Sequence, residues 1–177
     1  MSKEDIKAAE AVEGAVEAQD NEIVLSTGVV LRAKKANTVV LINVMAAYPR
    51  PKPPIWHHPT MGRDMENPDD PDYLERVRSW QLEYSAATLK AFILLGTELI
   101  SVPKGIPGPN EDDWLEEYEL LGLDMRPSNK TWRYLTWINF KAVGDEKDLL
   151  AIQEKVGRLS GVKEKTVQAA EEFPRSK

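Results

Sequence analysis

A long stripe of apolar residues at helical spacing constrains the fold of this chain more than any other sequence feature. Its members alternate spacings of four and three residues: Tyr73, Val77, Trp80, Tyr84, Ala87, Ala91 and Leu94. That spacing places them on one face of an α-helix. Asp70 suits the N-cap, Pro71 the first helical position and Asp72 the positive end of the helix dipole. Because Gly96 suits a left-handed helix stop, we predict a helix from Pro71 to about Leu95.

Before this helix, the pattern indicates a β-hairpin and a shorter helix. Two β-branched runs, residues 21–25 and 29–33, are separated by a short loop that contains glycine, which is a hairpin signal. Apolar residues recur at helical spacing over residues 38–48, so a helix is favoured there, and Pro49 ends it. A strand over residues 38–44 is the competing interpretation.

After this helix, cap residues and glycines alternate in an order that predicts a helical body. Residues 99–102 indicate a short strand, and Asn110, Ser128 and Asp145 suit the N-caps of three helices. A last short helix is predicted over residues 163–173. The side chains predicted to face inward are Trp114, Leu115, Tyr118 and Leu121 in the first of the three helices, Trp132, Leu135, Ile138 and Ala142 or Phe140 in the second, and Leu149, Ile152, Val156 and Leu159 in the third, with Gly122, Gly144 and Gly161 as the stops.

These elements together predict an α+β fold that is predominantly α. The chain has 177 residues, of which 42% are hydrophobic and 29% charged, which is typical of a globular domain that buries its own core. We expect an acidic tail, flexible or weakly helical, over residues 1–21, a single globular domain over residues 22–173 and a short tail over residues 174–177. The domain would comprise a hairpin and helix (22–48), an extended proline-rich arm (49–70), and a body of four to five helices with a short extra strand (71–173).

Composition excludes several classes of protein. The chain has no cysteine, which removes disulfides, thiolate zinc sites and cysteine nucleophiles. No apolar run approaches the roughly 18 residues of a membrane span, and the first 20 residues lack the apolar region of a secretory signal. The formal net charge of −6 argues against a general nucleic-acid binder. We therefore expect a cytoplasmic protein that binds neither membranes nor nucleic acid.

Charge changes sign abruptly in the middle of the chain. Residues 23–63 contain no acid, whereas residues 64–75 contain no base. The bases of the first segment are Arg32, Lys34, Lys35, Arg50, Lys52 and Arg63, and the acids of the second are Asp64, Glu66, Asp69, Asp70, Asp72 and Glu75. The two segments either neutralise each other within the fold or steer a partner.

No pattern in the sequence predicts catalysis or a bound cofactor. A nucleophile elbow, a phosphate-binding loop and a dinucleotide fingerprint are all missing, and the pair Asp69 and Asp70 fits helix capping better than acid–base work. The one cluster with metal-ligating side chains is His57, His58, Asp64 and Glu66. Neighbouring histidines on an extended chain point to opposite faces, so they would not easily share one ion. We expect a protein that is not an enzyme, with no catalytic residues, no cofactor and no metal.

The proline-rich arm carries the residues most suited to contact a partner. Pro49, Pro51, Pro53 and Pro54 favour extended backbone. Trp56 lies within this segment, where it is either an anchor packed on the body or a partner-binding residue. The predicted partner-binding residues are Ile55, Trp56, His57, His58, Arg63 and Arg50.

The same stretch carries a resemblance to a known family. Its motifs are P-x-P-x-P-P at residues 49–54, Gly-Arg at 62–63, ENPDDPDY at 66–73 and a helix with tryptophan; LGTELISVP at 95–103, GIPGP at 105–109 and VGRLSGV at 156–162 add to them. This order of motifs, over residues 22–173, resembles the tail assembly chaperone-like and tail assembly proteins encoded in the structural module of siphovirus-like tailed bacteriophages and prophages. Each motif alone is short and consists mostly of cap and turn residues.

The resemblance implies a role in virion morphogenesis through protein–protein contacts. A chaperone of this kind would act in the host cytoplasm during assembly and bind the tape measure protein, tail tube subunits or both, with self-association as a further contact. The alternative is a permanent structural component of the virion, in the tail, at the head–tail connection or on the capsid. In that case the arm would dock on neighbouring subunits.

Overall fold

The structure, a computed structural model, describes residues 21–162 and has a mixed α+β fold that is mainly helical, which confirms the predicted class. Its elements in chain order are β1 (Glu22–Val24), β2 (Val30–Ala33), α1 (Thr38–Ala46), β3 (Ile55–His58), β4 (Arg63–Glu66), α2 (Pro71–Gly96), β5 (Thr97–Ser101), α3 (Asp113–Leu120), α4 (Lys130–Trp137) followed by a π-helical turn (Ile138–Ala142), and α5 (Glu146–Ser160). Residues 1–20 of the predicted acidic tail, the helix predicted over residues 163–173 and the tail predicted over residues 174–177 lie outside the described residues.

The chain separates into two compact units. Residues 39–91 form one, named here the hairpin unit, and residues 21–38 and 92–162 form the other, named the sheet unit. Helix α2 contributes its first 21 residues, 71–91, to the hairpin unit and residues 92–96 to the sheet unit. The single domain predicted over residues 22–173 stays a prediction.

In the sheet unit, three antiparallel strands lie in the order β1-β2-β5. The predicted hairpin of β1 and β2 is confirmed, and its turn contains Gly28 at φ +86°, a conformation that glycine adopts without strain. The predicted strand near residues 99–102 begins earlier, at Thr97, and pairs with β2. Ile23 of β1 and Leu31 of β2 are buried, and α5 packs against both strands. Because every second residue of β1 and β2 is more buried than its neighbours, one face of the sheet lies against α5.

Gly96 ends α2 for a reason other than the predicted one. Its φ is not positive, so the predicted left-handed stop is wrong. A Cβ on Gly96 would lie 2.9 Å from Cγ2 of Val156 and closer still to Cγ1. Only glycine therefore fits where α5 crosses the end of α2, and the chain continues directly into β5 at Thr97.

Helix α5 begins and ends as predicted. The Asp145 carboxylate accepts hydrogen bonds from the N–H groups of Lys147 and Asp148, which is N-cap chemistry. Gly161 follows the helix at φ +70°, the left-handed conformation of a C-terminal stop. Ile152 and Val156 are fully buried, as the predicted inner face requires.

Two predicted caps are wrong by a few residues. Asn110 does not begin a helix, because α3 starts at Asp113, and Asp112 in the cap position makes no side-chain cap bond. The Asp112 carboxylate instead accepts a hydrogen bond from the Arg133 guanidinium at 2.9 Å. The cap of α4 is Asn129 rather than Ser128, and its Oδ1 accepts the N–H of Trp132 at 2.9 Å. At α4 the neighbouring side chain has similar chemistry and meets the cap geometry better, whereas α3 begins with no side-chain cap bond.

In the hairpin unit, both predicted helices are confirmed. Residues 38–46 form α1, so the competing strand over residues 38–44 is wrong. Asp70 caps α2 with its Oδ1 accepting the N–H of Tyr73 at 2.8 Å. Of the apolar stripe on α2, Tyr73 is buried and Trp80 half-buried, whereas Leu82, which lies off the stripe, is 74% exposed.

Candidate protein-interaction surface

The proline-rich arm folds back on itself rather than staying a single extended segment. Strand β3 pairs with β4 in an antiparallel two-stranded sheet, from Ile55 opposite Glu66 to His58 opposite Arg63. Strand β4 was not predicted. Gly62, at φ +60° in the connecting turn, is the sequence signal that could have revealed it, because a glycine between two short extended runs marks a hairpin.

Alternation along the strands assigns each side chain to a face of this hairpin. One face carries Trp56, His58, Arg63 and Met65, and the other carries Ile55, His57, Asp64 and Glu66. The rings of Trp56 and His58 lie 5.0 Å apart between centroids, as neighbours on one face should. Five of the six predicted partner-binding residues therefore lie on this hairpin, divided between its two faces.

The hairpin exposes large apolar side chains. Ile55 is 71% exposed and Trp56 is 42% exposed. Met61, in the turn, is 58% exposed, and sequence reasoning missed it because it lies outside the predicted strand. Trp56 thus keeps much of its ring accessible to a partner.

The two histidines have structural partners within the hairpin. His57 Nδ1 lies 3.0 Å from an Asp64 carboxylate oxygen, so the ring donates its Nδ1–H to that acid. His58 Nδ1 accepts the N–H groups of Thr60 and Met61, both at 3.3 Å, which requires the ring proton to be on Nε2. Asp64 thus orients the ring of His57, and His58 closes the turn of the hairpin.

Backbone groups on both outer edges of the hairpin point away from the paired strands. The N–H of Asn67 donates to the carbonyl of Pro54 at 2.8 Å, which identifies a hydrogen-bonded pair just beyond the strands. Because bonded and non-bonded pairs alternate in an antiparallel ladder, Ile55 and His57 turn their backbone groups outward along β3. Asp64 and Glu66 do the same along β4, and within the described residues this sheet has no third strand.

Arg50 lies away from the other five predicted residues, beside a shallow cleft of the hairpin unit. Its guanidinium carbon lies 5.8 Å from the ring centre of Trp80, a cation–π contact. The Trp80 indole N–H donates to the carbonyl of Tyr48 at 2.8 Å. The cleft has a volume of about 390 Å³ and is lined by Ala47, Tyr48, Pro49, Pro51, Glu75, Arg76, Ser79, Trp80 and Glu83. The first prolines of the arm therefore lie along α2, and the hairpin follows them.

Neither a metal centre nor a membrane span is found among residues 21–162. No three His, Cys, Asp or Glu side chains in this range come together in a group that could hold a metal ion. Nor is any helix within the range both long and apolar enough to cross a membrane.

Comparison of this chain with protein-family models, with curated proteins and with solved structures finds no match.

Proposed function

We propose that this chain is a non-enzymatic morphogenesis protein of a tailed bacteriophage, acting as a tail assembly chaperone in the host cytoplasm. Its partners would be the tape measure protein, tail tube subunits or both. The order of motifs over residues 22–173 supports the proposal, because it resembles proteins of that kind. The hairpin of β3 and β4 supplies the contact surface.

The exposed apolar side chains of the hairpin are the observation that carries the proposal. Ile55, Trp56 and Met61 project from a two-stranded sheet of only four residues per strand. An isolated two-stranded hairpin is marginally stable in water, so burial against a partner would stabilise it as well as the complex. Aromatic and aliphatic anchors with a charged rim are typical of protein-binding patches.

The size of this surface favours a transient contact. Full burial of one large apolar side chain contributes about 1.5–3 kcal/mol, and these three are already partly covered. Association itself costs roughly 4–15 kcal/mol in lost freedom of motion. The hairpin alone therefore supports weak, reversible binding, which suits a chaperone that must release its client before the tail is complete.

Capture of tail proteins by wild type and by Trp56→Ala tests the contact. Each form is co-expressed with the tape measure or the tail tube protein of the same phage, and the recovered partner is quantified. We expect Trp56→Ala to reduce recovery about tenfold, because the central aromatic of such a patch carries much of the binding energy. Leu82→Ala is the matched control, since Leu82 is 74% exposed in the same unit but lies on α2. Equal recovery by wild type and Trp56→Ala would show that the hairpin is not the contact.

The outward backbone edges of the hairpin favour a second candidate, a permanent virion component. A strand from a neighbouring subunit could pair with the outer edge of β3 or β4 and extend the sheet. Prolines at positions 53, 54, 59 and 68 flank both strands and would limit the length of such pairing, because proline lacks an N–H donor. Mass spectrometry of purified particles separates the two candidates: stoichiometric copies in mature virions would establish the structural role and exclude the chaperone.

A further inference from the structure

The apolar face of α3 is buried at its start and exposed at its end. Trp114 is fully buried and Leu115 is 8% exposed, whereas Leu121, predicted to face inward with them, is 59% exposed. Trp114, Tyr118 and Leu121 follow one another at spacings of four and three residues, so they share one face. The prediction for Leu121 is therefore wrong: the face continues beyond the part of the sheet unit that covers it.

Two further leucines extend this exposed end. Leu120 is 88% exposed and Leu123 is 48% exposed, and together with Leu121 they form what we name the leucine ledge. The backbone that carries them is held in place, because Gly122 closes α3 at φ +69° and donates its N–H to the carbonyl of Glu119 at 2.9 Å. Three leucines are thus exposed within four consecutive residues on an ordered turn, which makes the end of α3 locally apolar, unlike the single exposed leucines found on most proteins.

Half-buried aromatic rings continue the apolar surface from the ledge toward α4. Tyr118 lies on the same helix face as Leu121, and its ring packs edge-on against Trp132 at 5.7 Å between centroids. Phe140 lies 5.4 Å from Tyr118 on a similar edge-on contact. A helix bound at the ledge would therefore contact aromatic rings as well as leucines.

Three carboxylates of α3, the helix that leads into the ledge, have no cationic partner in the described residues. Helix α3 carries Asp113, Glu116, Glu117 and Glu119 and no base. Glu117 is paired with Lys141, and Asp124, just after the ledge, is paired with Arg126. Within residues 21–162, Asp113, Glu116 and Glu119 form no ion pair. An apolar strip beside uncompensated negative charge selects for a ligand that is both apolar and positive.

We propose that the leucine ledge binds a cationic amphipathic helix of a partner protein. Such a helix would place its apolar stripe on Leu120, Leu121 and Leu123, and its Lys or Arg residues opposite Glu116 and Glu119. A second copy of this chain is disfavoured as the occupant, because two ledges face to face would oppose the same acids. The ledge lies in the sheet unit, apart in the chain from the hairpin, and the inference does not depend on a role in tail assembly.

A synthetic peptide provides the probe. A labelled helix of Leu and Lys, about 14 residues or four turns long, is titrated with the full-length protein and followed by fluorescence anisotropy. A peptide with Glu in place of Lys is the control for charge. We expect the Lys peptide to bind and the Glu peptide to bind at least about tenfold more weakly.

Substitution of the ledge locates the site. The double variant Leu120→Ser/Leu121→Ser should lose about tenfold or more in affinity for the Lys peptide. Leu150→Ser is the matched control, because Leu150 is 55% exposed on α5 in the same unit, and it should leave binding unchanged. Since all three leucines are exposed, both variants should fold, which circular dichroism checks.

Several results would overturn the proposal. These are failure of the Lys peptide to bind, equal binding by the ledge double variant, or equal binding of the Glu peptide. Sedimentation that shows a wild-type dimer, abolished by the ledge substitutions, would assign the ledge to a second copy.

Discussion

Asp148 joins the β1–β2 turn to the start of α5, and removing its carboxylate should destabilise the sheet unit. The side chain is 6% exposed. Its Oδ1 accepts the N–H of Ser26 at 2.8 Å. Its Oδ2 accepts the Ser26 hydroxyl at 2.7 Å and the N–H of Gly144 at 2.9 Å. One carboxylate therefore holds two loops that are far apart in the sequence.

The number and kind of these bonds determine the size of the effect. Asp148→Ala leaves the N–H groups of Ser26 and Gly144 without their acceptor, and each such loss costs about 1–3 kcal/mol. The Ser26 hydroxyl can turn toward water, so it adds less. Because these bonds are only partly buried, we expect the free energy of unfolding to fall by about 2–4 kcal/mol. Asp148→Asn retains one acceptor oxygen, and its amide donors would face a donor, so we expect a loss of about 1.5–3 kcal/mol.

The pKa of Asp148 gives the effect a pH dependence with a definite sign. Burial of the carboxyl raises its pKa, but hydrogen bonds from Gly144 and Ser26 outweigh burial, so the pKa lies below the ordinary value of 3.8. A carboxyl whose pKa is lower in the folded protein binds fewer protons there than in the unfolded chain. Its contribution is therefore complete above pH 3.8 and is lost as the pH falls through the lower folded value.

Urea denaturation followed by circular dichroism measures the effect. Wild type, Asp148→Ala and Asp148→Asn are unfolded at neutral pH and at several values down to the acid range. The gap between wild type and Asp148→Asn should be constant near neutrality and shrink below about pH 4. Equal stability of all three proteins at neutral pH, or a gap that does not shrink in acid, would refute the role assigned to this carboxylate.

Three further substitutions test separate parts of the fold, each by urea denaturation at neutral pH. Gly96→Ala should lower the free energy of unfolding by about 1–3 kcal/mol, because its methyl group would overlap Val156. Gly96→Ala should cost less when it is combined with Val156→Ala, which removes the overlapping methyl groups. If the losses of the two single variants simply add in the double variant, the overlap is contradicted. Asp145→Ala should cost about 1 kcal/mol through the lost N-cap of α5, whereas Asp145→Ser should retain most of it. Arg133→Lys should lower the free energy of unfolding by about 1–2 kcal/mol, since the Arg133 guanidinium donates to the carbonyls of Pro109 and Glu111 as well as to the Asp112 carboxylate. If the lysine variant is as stable as wild type, a positive charge alone is enough at this position.

Local signals in the sequence predicted the starts of the two best-defined helices. At Asp70 and Asp145 the acceptor and the N–H groups it caps lie within three residues, so the chemistry is visible in a short window. Gly28 and Gly161 adopt the positive φ that their turn and stop positions require, for the same reason. At the start of α4 the predicted cap, Ser128, is wrong by one residue, because the adjacent Asn129 has similar chemistry and caps the helix.

The candidate interaction surface was predicted in part. The sequence singled out Ile55 and Trp56 because large apolar residues in a proline-rich segment have no helix or core pattern to explain them. It missed Met61 and the strand β4, since residues 63–66 are mostly charged and lack the β-branched residues that indicate a strand. The register of the hairpin, which divides the predicted residues between two faces, is visible only in the structure.

The mainly helical α+β class, the length of α2 and the hairpin of β1 and β2 follow from the sequence alone, because periodicity and capping act over a few residues. Tertiary structure decided which remote segments meet. It paired β5 with β2, placed Val156 against Gly96, and used Asp148 to hold a turn 122 positions away. It also left Leu121 exposed, although the helical pattern that predicts its burial is intact. A periodic pattern specifies which side chains share a face of a helix. How much of that face is buried depends on which other segments pack against it, and only the tertiary structure shows this.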